Sequence, residues 1–295
     1  MSPISIFAPA KLNLFLAVTG RRSDGFHELV SVVAQLEFGD TLRVEPAPEF
    51  SLRCTDPEVP ADGSNLVLKA AQAFAAAAQW SGGAAFVLEK RIPAGGGLGG
   101  GSSDAVATLR ALNQLVEAPN RLSTQTLAAL AAQLGSDCPL FLHDEPLMIR
   151  GRGERVASLP SEAAVRLRGR RVLVFKPGFG VATPWAYSQL AAAAPGSYVS
   201  PEEAESRLAA WIEDPAAPAE ALRLNNMEPP VFSKFVALPT LNDELVRRFG
   251  LEVRMSGSGS ACFAFLSHDT DAAPIIAAIR ELWGQSAFVL ETRLA

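Results

Sequence analysis

Residues 93–104 read Pro93-Ala94-Gly95-Gly96-Gly97-Leu98-Gly99-Gly100-Gly101-Ser102-Ser103-Asp104, with six glycines in seven consecutive positions. Glycine adopts positive φ without steric cost and carries no Cβ, so such a run lets the backbone come close to a bulky ligand. Residues 85–90 before it alternate as a strand does, and residues 102–116 after it have helical composition and period. A helix leaving a glycine turn presents unpaired N–H groups and the positive end of its dipole. An anion is therefore the expected occupant, above all a nucleotide phosphate chain. No lysine occurs in the loop, which argues against the Walker A form ending in Gly-Lys-Ser/Thr. Gly95, Gly97 and Gly100 fit the dinucleotide spacing, but a run this rich fits many patterns, and the acidic residue expected about 20 positions later at a strand end is missing. A purely structural turn is the remaining alternative.

Outward from the loop, the chain reads as α+β. Residues 4–17 alternate as a strand in which Lys11 and Asn13, two apart, share one face. A turn is expected at residues 22–25, then strands at 30–38 and 41–44 around a Gly39–Asp40 turn. Residues 65–80 read as a helix between Asp62-Gly63 and Gly82-Gly83, and residues 125–134 as another ended by Gly135. Apolar periodicity lapses at 150–153 and 160–164, which places the expected junction between two domains, 1–160 and 161–295. The second half is expected to hold a strand at 171–175, a turn at 177–180, Ala/Pro-rich material, and a helix at 202–213. It closes with a strand at 262–266, a helix at 272–283 and a strand at 287–292, a βαβ order that suits a ferredoxin-like domain.

The composition excludes several classes. The chain has 295 residues, 48% hydrophobic and 19% charged, ordinary for a globular protein of about two domains. A net charge of -5, with no basic run longer than 166–171, argues against nucleic acid as a partner. The three cysteines, Cys54, Cys138 and Cys262, are far apart and unpaired in spacing, which suits a reducing compartment. Residues 1–10 lack a basic segment followed by a long apolar one, and residues 70–78 are too short to span a bilayer. The expectation is a cytoplasmic protein without a membrane partner.

Three further places carry chemistry. Gly135-Ser136-Asp137-Cys138-Pro139 holds an acid between a glycine and a proline, and taken alone Asp137 is as readily a local turn cap. Lys11 in an apolar strand can equally extend to solvent. Together they suggest a carboxylate to receive a proton and a cation to stabilise charge. Ser256-Gly257-Ser258-Gly259-Ser260, between strand-like residues 251–255 and 262–266, permits a tight turn over a ligand or serves as an ordinary hairpin loop.

Pro9-Ala10-Lys11-Leu12-Asn13-Leu14, the loop at 93–104 and Ser256–Ser260 resemble, in order and spacing, the three motifs of the GHMP kinases, the superfamily of galactokinase, homoserine kinase, mevalonate kinase and phosphomevalonate kinase. Within it, Lys11–Leu16, Asp24-Gly25-Phe26-His27 and Leu134–Pro139 resemble a branch of non-mevalonate isoprenoid biosynthesis. Its acceptor is a cytidine-diphosphate-linked methylerythritol, phosphorylated on the 2-hydroxyl. The resemblance implies an N-terminal ribosomal-protein-S5-like domain and a C-terminal ferredoxin-like domain. It implies Asp137 as the base, and Lys11 holding the acceptor hydroxyl or the γ-phosphate. It also implies Gly95, Gly96, Gly97, Leu98, Gly99, Gly100, Gly101, Ser102 and Ser103 around the ATP phosphates, with Asn65, Leu66 and Lys90 near the adenine. Asn13 would line the acceptor pocket, Phe26, His27 and Tyr187 would surround the cytosine, and Thr183 and Pro184 would lie near its ribose. Mg2+ is expected with ATP, although no glutamate aligns with the magnesium-binding one of some members, so its protein ligands are left open. The expected partner is a small-molecule substrate, and the expected state a monomer or weak homodimer. Another GHMP kinase, or a nucleotide-binding regulator that has lost the chemistry, are the competing readings, and the presence of both Lys11 and Asp137 argues against the second.

Overall fold

The computed structural model describes residues 3–295, so the leader reading of residues 1–10 lies partly outside it. The chain begins with two long strands, β1 (Ile4–Arg21) and β2 (His27–Ala47), then β3 (Ser51–Cys54), α1 (Leu66–Ala78), β4 (Gly83–Glu89), α2 (Gly100–Leu115) and α3 (Thr124–Leu134). Next come β5 (Leu147–Gly151), β6 (Arg155–Ser158), a short α4 (Ser161–Val165), β7 (Arg171–Lys176), α5 (Thr183–Ala192) and α6 (Pro201–Glu213). The chain ends with β8 (Leu224–Asn225), α7 (Glu228–Lys234), α8 (Ala237–Phe249), β9 (Arg254–Met255), β10 (Cys262–Phe265), α9 (Ala273–Trp283) and β11 (Phe288–Arg293). Two compact units result: one takes residues up to Ala10, Phe38–Ile92 and Gly99–Asp144, the other Lys11–Glu37, Pro93–Leu98 and Glu145–Ala295.

In the first unit β4 pairs antiparallel with the end of β2 and parallel with β3, and α1, α2 and α3 pack on one another. Asn65 caps α1 by accepting the Val67 N–H at 2.9 Å, and Gln79 ends it in the left-handed region at φ 49°. The turn expected at Gly39–Asp40 does not form, because β2 runs straight through it. A Cβ at Gly39 would stand 2.3 Å from the Ala8 carbonyl oxygen, so the glycine serves close strand approach and not reversal. Asp40 is fully buried, and its carboxylate accepts the N–H groups of Arg91 and Ile92 and the Lys90 ammonium. Buried donors replace the solvent that a turn aspartate would have had.

In the second unit β5 pairs antiparallel with the start of β2 and with β6, while β8 lies parallel to β1. The β5–β6 hairpin occupies the stretch where a junction was expected; β6 is mostly exposed, which is why its apolar period is faint. A separate antiparallel sheet has the order β11-β7-β10-β9. Leu173 and Phe175 of β7 with Cys262 and Ala264 of β10 face one side, as the two-residue period requires, and join a core with Leu190, Val231, Leu241, Leu245, Ile275 and Ile279. This helix-covered antiparallel sheet is the α+β architecture expected for the second half. Helices α5, α7 and α8 were not foreseen from the sequence; α5 and α7 open on Pro184 and Pro229, residues that read as breakers but fit the first helical turn.

Candidate active site

In the second unit, β1 carries Lys11 and Asn13 to one face, as their spacing predicts. Lys11 is 4% exposed, donates from its backbone N–H to the Leu98 carbonyl at 3.0 Å, and reaches Asn13 Oδ1 with its ammonium at 2.5 Å. Asn13 Nδ2 donates to Ser31 Oγ at 3.0 Å, and Ser31 donates in turn to the Phe15 carbonyl at 2.6 Å. The Asn13 backbone N–H donates to Ser256 Oγ at 3.2 Å, and that hydroxyl donates to the Gly97 carbonyl at 3.1 Å. A continuous polar chain therefore ties β1, the glycine loop and the serine loop together.

The serine loop is held from behind by Asn225, whose Nδ2 donates to the carbonyls of Met255 at 2.7 Å and Gly257 at 2.9 Å. Ala261 and Ser260 donate their N–H groups to the carbonyls of Gly96 and Gly95. Thr183 Oγ1 and Ser258 Oγ lie 2.8 Å apart at the start of α5, next to Pro184. Ser31 and Asn225 were missed by the sequence reading. Each is a lone polar residue whose partners are distant in sequence, so no local pattern marks it.

In the first unit, Gly99 caps α2 in the left-handed region at φ 75°, leaving the first-turn N–H groups of Gly100, Gly101 and Ser102 without side-chain caps. Leu66 Cδ1 lies 3.6 Å from where a Cβ on Gly101 would stand. Asn65 has both ends of its amide engaged, since Nδ2 also donates to the Pro60 carbonyl at 2.6 Å. Lys90 is likewise engaged: its ammonium binds Asp40, and Asp104 at 2.8 Å. Burial pushes the Asp104 carboxyl up to about 7, against the downward pull of Lys90 and with Asp40 adding to the rise. Ser103 Oγ and Asp104 Oδ1 are buried with no hydrogen-bond partner among the described residues. Asp137 stands half-buried at the start of a short turn of helix, Cys138–Leu142, and burial raises the neighbouring Cys138 thiol to about 11, which makes it inert as a nucleophile at neutral pH.

A third cluster, again in the second unit, gathers aromatic rings. His27 packs against Tyr187 with the two rings tilted by 33° and their centroids 4.8 Å apart, and lies 6.1 Å from Tyr198. Its Nε2 is buried and unpartnered among the described residues, and burial, then the positive charge of Arg21, lowers its pKa, so the ring is neutral at pH 7. Phe26 is exposed, with the Arg152 guanidinium 4.8 Å from its ring centroid. The structure brings together His27 and Tyr187, two residues that the resemblance places around a cytosine, and adds Tyr198 beside His27 and Arg152 beside Phe26. Both additions arrive from segments with no motif of their own.

The family model described as GHMP kinases N terminal domain matches residues 65–145, and the one described as GHMP kinases C terminal matches residues 205–285. A 4-diphosphocytidyl-2-C-methyl-D-erythritol kinase of Salinibacter ruber is 38% identical over 92% of this chain and 92% of its own. One of Chlorobium limicola is 36% identical over 95% and 94%. A crystal structure of 4-(cytidine 5'-diphospho)-2C-methyl-D-erythritol kinase superposes with a TM-score of 0.76 at 37% identity, covering 99% of this chain and 100% of that one. Homoserine kinase from Cytophaga hutchinsonii shares the fold, at TM-score 0.74 and 16% identity over 100% of this chain and 95% of its own. The fold and its motifs are those of a GHMP kinase. The chain belongs to the 4-diphosphocytidyl-2-C-methyl-D-erythritol kinase family within that superfamily.

Proposed function

We propose that this protein transfers the γ-phosphoryl group of ATP to the 2-hydroxyl of 4-diphosphocytidyl-2-C-methyl-D-erythritol, a step of non-mevalonate isoprenoid precursor synthesis. The observation that carries the reading is 38% identity to a kinase of that name along nearly the full length of both chains. The His27 Nε2, unpartnered among the described residues on a ring near Tyr187 and Tyr198, supports it, because a neutral imidazole offers a hydrogen bond to a planar base edge.

In the reaction the acceptor oxygen forms a bond to the γ-phosphorus while the bond to the bridging oxygen of ADP breaks, and the hydroxyl proton passes to Asp137. Lys11, held in direction by Asn13, steadies the negative charge on the transferred group or on the hydroxyl. The backbone from Gly95 to Ser103 receives the phosphate chain, its free N–H groups at the start of α2 doing the work that a Walker lysine does elsewhere. Asn65, Leu66 and Lys90 border the adenine, and Phe26, His27, Tyr187, Thr183 and Pro184 take the cytidine.

Mg2+ bound with ATP would offset the negative charge of the phosphate chain. Among the described residues no group of three or more His, Cys, Asp or Glu could hold a metal ion. Ser103, with its buried unpartnered Oγ, is the hard oxygen present to meet it. The same proposal keeps the division at residue 160 and a cytoplasmic monomer or weak homodimer without nucleic acid. The net charge of -5 supports the absence of a nucleic-acid partner, and among the described residues no helix is long and apolar enough to cross a membrane.

The test is ADP release by the purified protein given ATP, Mg2+ and one acceptor at a time. Turnover is expected with 4-diphosphocytidyl-2-C-methyl-D-erythritol and not with homoserine or mevalonate. Turnover with either of the latter alone would overturn the acceptor assignment.

A further inference from the structure

Lys176 ends β7 with its side chain 7% exposed, and its ammonium donates to the Pro177 carbonyl at 3.0 Å. An ammonium has three donors, so two lack a partner among the described residues. No carboxylate pairs with it among the described residues. Its stem lies against the glycine loop: Cδ stands 3.2 Å from where a Cβ on Gly96 would be, and Ala261, which donates its N–H to the Gly96 carbonyl, lies at 3.5 Å from the same point.

A buried cation without a counter-ion is costly unless something compensates it. The surroundings supply no such charge. Residues 93–98, 177–181 and 256–261 carry no titratable side chain, nor do residues 285–288 leading into β11. Cys262 on β10 sits opposite Phe175 and shares its helix-covered face, so it points away from Lys176. Nothing offsets the burial, which lowers the Lys176 pKa.

We propose that Lys176 is a receptor for a phosphate oxygen of a bound nucleotide, completing its hydrogen bonds and its charge balance when the ligand occupies the glycine loop. The inference rests on the kinase reading above. The shared chemistry is a diphosphate, which ATP and the cytidylyl acceptor both carry, and the ligands ADP and CDP tell the two sources apart.

The experiment measures ADP and CDP affinity by calorimetry, and Tm without ligand, for wild type and Lys176→Met. Loss of about tenfold or more in affinity for one or both ligands is expected, with Tm unchanged or raised, because removing an uncompensated buried charge does not weaken the free fold. Affinity for both within about twofold of wild type overturns the assignment. A fall in Tm accompanied by loss of both ligands also overturns it, since the Pro177 tie would then be the role. Should Lys176→Met fail to fold, the wild type decides. The affinity of the responding ligand must weaken as pH rises through the lysine pKa, which burial holds below its ordinary 10.5, whereas a flat profile overturns the proposal. Wild-type turnover combined with no Lys176 effect leaves the kinase reading standing and this one refuted.

Discussion

Gly97 and Ser256 lock each other in two ways: the Ser256 hydroxyl donates to the Gly97 carbonyl at 3.1 Å, and the Ser256 carbonyl oxygen stands 2.3 Å from where a Cβ on Gly97 would be. Gly97 also holds φ at 72°. The sequence presents the loop as open backbone awaiting a ligand. The geometry says otherwise. Gly97→Val is expected to cost about 2–4 kcal/mol in chemical denaturation, through strain and displacement of the serine loop. A loss below about 0.5 kcal/mol would show that the two loops are not locked.

Gly101 provides the cleaner probe of phosphate binding. It lies in the first turn of α2 outside the positive-φ region, and a Cβ there meets only Leu66 Cδ1 at 3.6 Å. Gly101→Ala is expected to keep or raise stability by about 0.5–1 kcal/mol from helix propensity. The methyl group would obstruct the free N–H groups, so the KM for ATP is expected to rise about tenfold. An unchanged ATP affinity would remove the α2 terminus from the phosphate site.

Asp137→Asn replaces a proton acceptor with an amide of the same shape. Single-turnover rates at saturating substrates are expected to fall by about 10²–10⁴-fold, with ATP binding retained. A fall of less than about tenfold would take the base role from Asp137.

Asp104 gives the protein a pH-dependent term in stability. Its carboxyl is pushed up to about 7 in the folded chain from an ordinary 3.8, so the folded state holds the proton more tightly than the unfolded one. Between those values stability falls as pH rises, and the cost of the ionised buried group is fully present above about pH 7. Asp104→Asn is expected to flatten that decline, and to gain on the order of 1–3 kcal/mol over wild type at pH 8 relative to pH 4. Parallel Tm profiles for the two proteins across this range would refute it.

How much of this was legible beforehand depended on whether the signal was local. Lys11 and Asn13 share a face because they are two apart in a strand, and the glycine run announced a helix terminus; both follow from periodicity alone. Asp40 was misread because Gly39-Asp40 is a turn pair in composition, while its burial comes from Lys90, Arg91 and Ile92, half a hundred positions away. Lys176 fell between the strand expected at 171–175 and the turn expected at 177–180. Only the fold shows that its stem lies against Gly96. Tyr198 stood in Ala/Pro-rich sequence with nothing to link it to His27.

The acceptor side gives the last prediction. His27 has its Nε2 without a partner among the described residues, while its ring packs tilted against Tyr187 at 4.8 Å and approaches Tyr198 at 6.1 Å. A planar base stacked on aromatic rings gains about 1–3 kcal/mol per contact by analogy with single-stranded nucleic acid. Tyr187→Ala, Tyr198→Ala and Phe26→Ala are therefore each expected to raise the acceptor KM by about 5–100-fold while the KM for ATP barely moves. His27→Ala should do the same by removing the hydrogen bond to the base edge. Because burial holds the His27 pKa below 6.5, the imidazole stays neutral above that pH, and acceptor KM is expected to be flat from about pH 7 upward on its account. Below the lowered pKa the ring gains a proton on its acceptor nitrogen, so acceptor KM should shift with pH in wild type and not in His27→Ala. If all four variants bind the cytidylyl acceptor as tightly as wild type, the base is read elsewhere, even with phosphoryl transfer to that acceptor intact.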